Sequence, residues 1–207
     1  RIKNAATNYY KSIGREADLQ GYNWEFNLLE DKQLNAWCMP GGKVAFYSGI
    51  MPTCKDETGV AVVMGHEISH AIASHGAERM SQGLLAQGAL AAGQVGLGAA
   101  MSNKPRETQA TWMGLYGLAA PAAASVGYIL PNSRNQESEA DRLGLTFMAM
   151  AGYDPRAAVD FWQRMAQASN GQKPPQWLST HPADNTRIRD LKKLMPDAVA
   201  IYNKNRG

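Results

Sequence analysis

The chain has 207 residues, 44% of them apolar, and a formal net charge of only +3. This length and apolar content can bury one sizeable core, so we expect a single domain over residues 1–207. The Lys and Arg residues are scattered and form no stripe with aromatic residues, which excludes nucleic acid as an expected partner.

The start of the chain and its cysteines give weaker indications. The sequence begins at Arg1 without a methionine or a charged and apolar leader, so we expect any signal or lipoprotein segment to have been removed from this chain or never to have been included in it. The two cysteines, Cys38 and Cys54, leave two alternatives open, one disulfide or two buried thiols.

The first predicted elements are two short strands. Residues 34–39 and 43–47 alternate polar and apolar side chains, and Pro40-Gly41-Gly42 separates them. Alternation with period two on both sides of a glycine-rich turn is typical of a β-hairpin. The sequence therefore predicts a small sheet ahead of the histidine-rich segment that follows.

Three of the four histidines lie within ten consecutive residues, HEISHAIASH at 66–75. On a helix His66 and His70 are about 40° apart, whereas His75 is about 180° from His66. Two imidazoles one turn apart have the spacing that a zinc ion requires. Glu67 stands beside them, where a carboxylate can act as the general base for a water activated by the metal. The pattern is H-E-x-x-H.

The residues around this motif favour a metal over an accidental match. The run GVAVVMGHEISHAIA, from Gly59, is apolar on nearly every side and predicts a buried helix. Unpaired charged groups in such a helix cost several kcal/mol, a cost that a metal ion removes. A polar core without metal is the alternative. We expect His75 to be structural, near a helix end marked by Gly76.

Two histidines do not complete a catalytic zinc site, which usually has three protein ligands and one open position. In the extended H-E-x-x-H-x-x-G-x-x-H motif the third histidine would fall at Gly76, and the motif's glycine at Ala73. That subclass is excluded. A carboxylate from a second helix remains as the expected third ligand.

Two Gly- and Ala-rich runs, residues 83–101 and 114–130, flank a polar break. The first contains Gln87 and Gln94, and the second contains Pro121 and falls short of about 20 strongly apolar residues. We therefore favour a soluble helical pair over membrane insertion. We expect this pair, at about 83–130, to be an insertion near the active-site cleft that gates substrate access.

A second helix is predicted from the run NSRNQESEADRLGLTFMAMAGYDP, which begins at Asn132. Ser133 with Gln136 three residues later is a capping-box pattern, and Gly152 followed by Asp154-Pro155 ends the helix.

Only one glutamate of this helix can face a metal ion. Glu137 and Asp141 lie about 40° apart, while Glu139 points about 200° away from Glu137. Glu137 is favoured as the third ligand because Asp141 shares its face and can accept a hydrogen bond from a ligand imidazole. The alternative is a solvated helix start, where acidic residues are common.

Two helices and a loop complete the predicted elements. Asp154-Pro155 begins a helix that runs to about Ala168, residues 169–183 form a loop that contains His181, and a short helix covers about Asp184 to Leu194. The overall expectation is an α+β fold, mostly helical, with one small sheet.

The motifs HEISH followed by His75-Gly76, then ESEAD, then STHP resemble one protein family. This is the gluzincin metallopeptidase family that includes the heat-shock protease HtpX, the CAAX prenyl protease and the periplasmic proteases BepA and LoiP. The resemblance covers residues 21–194 and implies a zincin-like fold. It implies that Glu137 is the third zinc ligand and that Asp141 supports the site.

The resemblance also brings in a late His-Pro motif with an arginine six residues on, which here are His181-Pro182 and Arg187. Two roles for His181 stay open. It donates a hydrogen bond to the oxyanion, a contribution of about 10² to 10³ in kcat, or it occupies the open zinc position of a resting enzyme. Arg187 is expected to support the site.

Together these features predict a zinc endopeptidase with one Zn²⁺ per chain and Glu67 as general base. The expected substrate is an extended polypeptide that adds to the edge of the hairpin, main chain to main chain. The resemblance implies unfolded or misassembled envelope proteins as substrates, a periplasmic location, with or without a lipid anchor, and peripheral membrane association. The alternative is a chaperone or assembly factor whose zinc site is latent and plugged by His181.

Overall fold

A computed structural model describes residues 1–168 and 175–206 of the protein. The elements up to the histidine motif are α1 (Ile2–Ser12), β1 (Glu25–Leu29), β2 (Ala36–Met39), β3 (Lys43–Tyr47), α2 (Met51–Cys54) and α3 (Glu57–Ile72). The elements that follow are α4 (His75–Met101), α5 (Arg106–Ala124), α6 (Leu130–Met150), α7 (Ala157–Ala168), α8 (Gln176–Thr180) and α9 (Asn185–Asn205). The α+β class, mostly helical with one small sheet, is confirmed.

The sheet has three strands in the order β1-β3-β2. Strands β2 and β3 form the predicted antiparallel hairpin, with Met39 opposite Lys43, and both glycines of its turn have positive φ. Strand β1 pairs with β3 in parallel and was not foreseen, because all five of its residues are exposed and give no buried alternation. Strands β1 and β2 are the two edges.

The chain forms two compact units. The first unit comprises Arg1–His75 and Glu137–Gly207, and the second comprises Gly76–Gln136. The core of the first unit is built on large side chains with almost no exposure, Phe147, Phe161, Trp162, Met165 and Trp177. The prediction that residues 83–130 lie near a cleft stays a prediction.

Helix α3 is buried, as its apolar sequence predicted, and its ends are set locally. The Asp56 side chain accepts a hydrogen bond from the backbone N–H of Gly59 at 2.9 Å and caps the N-terminus. Ser74 has a φ of 58°, which breaks the helix, and His75 then begins α4. The expectation that His75 lies at the end of the motif helix, marked by Gly76, is therefore wrong: α3 ends at Ile72.

Helix α6 is the continuation of a helix that begins with α5 and passes through a π-helical turn, Ser125–Ile129. The predicted capping box at Ser133 is wrong, because Ser133 lies inside this helix. The Gln136 side chain instead accepts a hydrogen bond from Arg79 at 2.7 Å and donates one to Glu78 at 2.8 Å. These two partners are in the second unit and were invisible to a local sequence pattern.

The two Gly- and Ala-rich runs, residues 83–101 and 114–130, are helical and lie in the second unit. By length and composition, the helices His75–Met101 and Arg106–Met150 are both long and apolar enough to cross a membrane. Pro121 does not interrupt the second helix. The length argument against a membrane span is therefore not supported.

The last part of the chain follows the prediction in part. Helix α7 extends over Ala157–Ala168 in the described residues, and residues 169–174 of the predicted loop lie outside them. Residues 176–180 are helical, and α9 continues well beyond the predicted end at Leu194. It does so because Leu191 and Ala198 keep the helical spacing of buried apolar residues through Pro196.

Candidate metal centre

Four side chains from three parts of the first unit converge at one point. One nitrogen or oxygen atom from each of His66, His70, Glu137 and His181 lies within 4.8 Å of the others, and all four residues are buried. Nε2 of His66 is 3.3 Å from Oε2 of Glu137, and Nε2 of His70 is 3.3 Å from Oε1. Nδ1 of His181 is 3.0 Å from the same Glu137 Oε2.

Helices α3 and α6 can approach closely enough to form this cluster because glycines face each other at their crossing. A Cβ atom at Gly65 would lie 2.8 Å from the Gly144 carbonyl oxygen, and one at Gly144 would lie 3.0 Å from the backbone nitrogen of His66. The crossing is next to His66, so it places the first histidine of α3 against the acidic positions of α6.

Asp141 and Arg187 contact the cluster residues His66 and Glu137 and each other. Oδ1 of Asp141 is 3.1 Å from Nδ1 of His66, and Arg187 donates to both oxygens of Asp141 at 2.6 and 2.8 Å. Arg187 also donates to Glu137 at 3.2 Å and lies 3.3 Å from the ring centre of Trp162. The Asp184 side chain, which caps the backbone N–H of Arg187 at 2.7 Å, sets the first turn of α9.

Glu67 is buried beside the cluster and has a partner that the sequence did not suggest. Nε1 of Trp177 donates a hydrogen bond to Oε1 of Glu67 at 2.8 Å, and Nε2 of His181 is 3.6 Å from the same oxygen. Trp177 also stacks on Trp162, with ring centres 5.0 Å apart. An indole four residues before His181 on a short helix was the signal that could have identified it.

His75 and Glu139 also belong to the surroundings of the site. Nδ1 of His75 is 2.8 Å from Nδ1 of His70, and Nε2 of His75 is 3.4 Å from Oε2 of Glu139. The expectation that His75 is a structural residue near a helix end did not include this contact with His70. Glu139 does point away from the cluster, as predicted, but it contacts His75.

The ionisation of the cluster is shaped by burial and by its hydrogen bonds. Burial alone raises the pKa of Glu137, but hydrogen bonds from His181, His66 and His70 outweigh it and hold that pKa well below its ordinary value. Burial and Arg187 lower the pKa of His66, yet hydrogen bonds to Asp141 and Glu137 raise it to about 9. Burial keeps the pKa of His70 well below its ordinary value.

The donor set fits a metal ion. Imidazole nitrogens and one carboxylate, with two imidazoles one helical turn apart, are ligands that a transition metal ion such as zinc accepts. Asp141, which contacts the second nitrogen of His66, occupies the place where metal-binding histidines ordinarily find a carboxylate. The cluster could therefore bind a metal.

The cysteines take no part in this cluster. Both are free thiols, so the disulfide alternative is not realised. Burial raises the pKa of Cys38 to about 12, with a smaller contribution from the Glu67 carboxylate, and burial raises that of Cys54 to about 12. Helix α3, which carries Glu67, packs against β2, the strand that contains Cys38.

Comparison with known proteins supports the interpretation of this site. The chain is 34% identical over 192 residues to the mitochondrial metalloendopeptidase OMA1 of Schizosaccharomyces pombe, a match that covers 91% of this chain and 51% of that protein. It is 31% identical over 201 residues to the same enzyme of Saccharomyces cerevisiae, covering 90% and 51%. It is 29% identical over 185 residues to a β-barrel assembly-enhancing protease of Yersinia pestis, covering 82% and 34%.

The chain thus spans about half the length, or less, of these curated relatives. The family description that matches, peptidase family M48, covers residues 4–195 and so includes α3, α6, His181 and Arg187. This confirms the resemblance drawn from the motifs. On the extent of that match, the chain belongs to peptidase family M48.

Proposed function

We propose that the chain is the catalytic part of a zinc-dependent endopeptidase. The observation that carries the proposal is the convergence of His66, His70 and Glu137 on one point, with Glu67 buried beside it. These three residues would hold one zinc ion, a His2Glu ligand set known from catalytic zinc sites. Membership of a peptidase family supports the same activity.

Each residue of the site has a separate role in the proposed reaction. When bound, zinc lowers the pKa of water and polarises the scissile carbonyl. Glu67 accepts a proton from the attacking water and then delivers it to the leaving amine. The indole of Trp177 holds one carboxylate oxygen of Glu67, which leaves the other free to take up the proton. Asp141 accepts the Nδ1–H of His66 and so keeps Nε2 available as a ligand atom.

The substrate is proposed to be an extended polypeptide that pairs with β2. Strand β2 is an edge of the sheet and packs against α3, the helix that carries Glu67, so its unpaired backbone groups can bind a peptide main chain beside that helix. Because proline has no N–H to donate, proline-rich analogues should bind more weakly than peptides of ordinary composition. Equal affinity for both would contradict pairing at this edge.

His181 is proposed to close the site in a resting form. Its Nδ1 is 3.1 Å from Nε2 of His66, in the position that a fourth ligand would take. Trp177, only 1% exposed, covers Glu67 from the same segment. Turnover then requires this segment to move, after which His181 can donate to the oxyanion. The same observation favours the alternative function, a chaperone or assembly factor with a latent site plugged by His181.

Unfolded or misassembled proteins of the bacterial envelope are the proposed substrates, with a periplasmic location. The support is the similarity to β-barrel assembly-enhancing proteases of Yersinia pestis and Vibrio cholerae. The OMA1 relatives are mitochondrial, so the similarity to the bacterial relatives carries this part of the proposal.

The test combines casein turnover with metal content measured by mass spectrometry on the purified chain. Wild type should hold about one zinc ion, and Glu67→Gln should keep it while kcat falls about 10² to 10⁴-fold. Glu137→Ala should lose the metal. His181→Ala separates the two functions: a fall in kcat of about 10² to 10³-fold from an already active enzyme favours the peptidase with His181 as oxyanion donor, whereas activity that appears only in this variant favours the latent site.

Two results would overturn the peptidase assignment. One is full turnover by Glu67→Gln. The other is wild-type protein that takes up no transition metal although it is folded. Glu16→Gln is a matched control for the charge change in Glu67→Gln, because Glu16 is exposed and lies outside the cluster.

A further inference from the structure

The second unit has an unusual distribution of charge. Residues 80–103 and 108–133 are two stretches of 24 and 26 residues without a single Asp, Glu, Lys or Arg. The charged residues stand at the two ends of the helical pair, Glu78, Arg79 and Arg134 at one end and Lys104, Arg106 and Glu107 at the other. A helix needs about 20 residues to cross the ~30 Å hydrocarbon core of a bilayer, so both stretches are long enough.

The two helices of this unit are antiparallel and their polar groups are paired at defined points. Gln136 contacts Glu78 and Arg79 at the end where the chain enters and leaves the pair. Further along, the Tyr116 hydroxyl donates to the Leu90 carbonyl at 2.9 Å. A Cβ atom at Gly93 would lie 2.0 Å from that hydroxyl, so a glycine is required where the tyrosine crosses.

The apolar side chains of this unit are exposed. Of the seventeen large apolar side chains that are exposed among the described residues, eleven lie in the second unit. Leu118 is 78% exposed and Val95 is 74% exposed. Within the fully described range 83–130, Ala86 is the one buried residue. Contacts inside the unit therefore leave this surface uncovered.

The distribution of exposed residues around the helices favours lipid over a protein groove. Leu84 and Leu85 are both exposed and project about 100° apart, and Trp112 and Leu118 of α5 are both exposed and project about 120° apart. A partner protein covers one stripe of a helix, whereas lipid surrounds it, and a helix that is apolar on all sides is typical of a core or a membrane. Gln87 and Gln94 are the polar exceptions on α4.

Aromatic residues mark the ends of the apolar stretch in the second helix. Trp112 and Tyr128 are exposed and sixteen residues apart, which is about 24 Å along a helix. Trp and Tyr are enriched at the two interfaces of a membrane. We propose that the helical pair of residues 76–136 inserts into a lipid bilayer, with the turn at Lys104, Arg106 and Glu107 on the far side.

Flotation of the full chain with vesicles of phosphatidylcholine and phosphatidylglycerol (3:1) tests this proposal. Wild type should float with the vesicles and stay bound in 1 M salt and in alkaline carbonate. Arginine at the centre of a membrane helix costs about 2.5–3.5 kcal/mol, so Leu118→Arg should weaken partitioning roughly 100-fold. Asn103→Arg adds the same charge in the turn and should leave partitioning unchanged.

Leu118 is exposed, so Leu118→Arg should leave the fold of the unbound chain unchanged, which circular dichroism checks. Brominated lipids should quench the fluorescence of Trp112, isolated by subtracting a Trp112→Phe variant. Release by salt, equal flotation of Leu118→Arg and wild type, or a concentration-dependent dimer that does not bind vesicles would each overturn the proposal.

A separate observation carries a second inference, which rests on the proposed zinc site. His75 is 2% exposed, and its Nδ1 lies 2.8 Å from Nδ1 of His70, on the side of that imidazole opposite the cluster. If Nε2 of His70 binds the metal, Nδ1 carries the proton and donates it to His75. Nε2 of His75 then carries its own proton toward Glu139, which is 3.4 Å away.

We infer that His75 is a positioning residue that fixes the tautomer and ring orientation of His70. The chain of donors runs in one direction, from His70 through His75 to Glu139. Asp141 does the same for His66. The two histidines of the motif are thus held by different partners, one a carboxylate and one an imidazole.

The test compares two variants by zinc affinity and by ¹⁵N NMR of the His70 ring. His75→Leu has no acceptor and should weaken zinc binding about 10- to 100-fold and lose the Nδ1–H signal of His70. In His75→Asn the amide oxygen can accept in place of Nδ1, so both properties should be retained. Equal zinc affinity and ring signals in His75→Leu and wild type would overturn this inference alone, whereas a wild type that binds no zinc would overturn the proposed function.

Discussion

The two units of the molecule differ in the side chains they bury: the first buries a polar cluster, and the second leaves large apolar side chains exposed. The first unit buries all four histidines of the chain, together with Glu67, Glu137, Asp141 and Arg187, each in contact with another of these groups or with Trp177. The second unit exposes its large apolar side chains. The difference shows that a buried polar cluster needs partners or a metal, while an exposed apolar helix needs a surrounding other than water.

The largest expected difference between the units is in core stability. Phe147→Ala removes a ring with no exposure from the first unit and should reduce the free energy of unfolding by about 3–5 kcal/mol. Leu118→Ala, in the second unit, should change it by less than about 0.5 kcal/mol in detergent-free buffer. Chemical denaturation of the full chain measures both.

A large decrease in the free energy of unfolding for Leu118→Ala in water would contradict this difference between the units, because it would mean that the second unit packs its apolar face against protein. Leu143→Ala, a buried leucine of α6, is the matched control for the size of the side chain removed. It should cost about 2–5 kcal/mol.

A smaller effect, on metal affinity, is expected for Asp141, which contacts the candidate ligand His66. Asp141→Asn keeps the shape of the side chain but weakens the contacts to His66 and Arg187, so metal affinity should fall about 10- to 100-fold. Competition with a chromophoric chelator measures the affinity. Asp190→Asn, on the surface of α9, is the matched control and should leave it unchanged. Equal affinity in Asp141→Asn and wild type would remove Asp141 from the site.

Much of the first unit could be predicted because its determinants are local. The spacing of His66 and His70, and of Glu137 and Asp141, fixes which side chains share a helix face whatever the tertiary structure. The hairpin of β2 and β3 follows from alternation around two glycines that adopt positive φ. These patterns depend on residues within one or two turns of each other.

The parts that could not be predicted depend on contacts between distant segments. Trp177 reaches Glu67 across 110 positions, and the crossing of α3 and α6 depends on Gly65 and Gly144 facing each other. The capping box failed because the helix begins upstream of Ser133, with α5, and the side chain of Gln136 bonds instead to residues of α4. A local pattern cannot show which of two partners a polar side chain will choose.

The smallest predicted effect concerns a single proton in the first unit. Without a bound metal the pKa of His66 is about 9, whereas burial keeps the pKa of His70 well below its ordinary value. A histidine ligand must be neutral, so metal binding near pH 7.5 should release about one proton, from His66 and not from His70. Because the shift at His66 is upward, the apparent affinity for the metal ion should rise about tenfold per pH unit below pH 9 and level off above it.

Calorimetry in buffers of different ionisation enthalpy measures the number of protons released on metal binding. Asp141→Asn removes one of the groups that raise the pKa of His66, so it should release a smaller fraction of a proton; heats that are independent of the buffer in wild type near pH 7.5 would show that His66 is already neutral there.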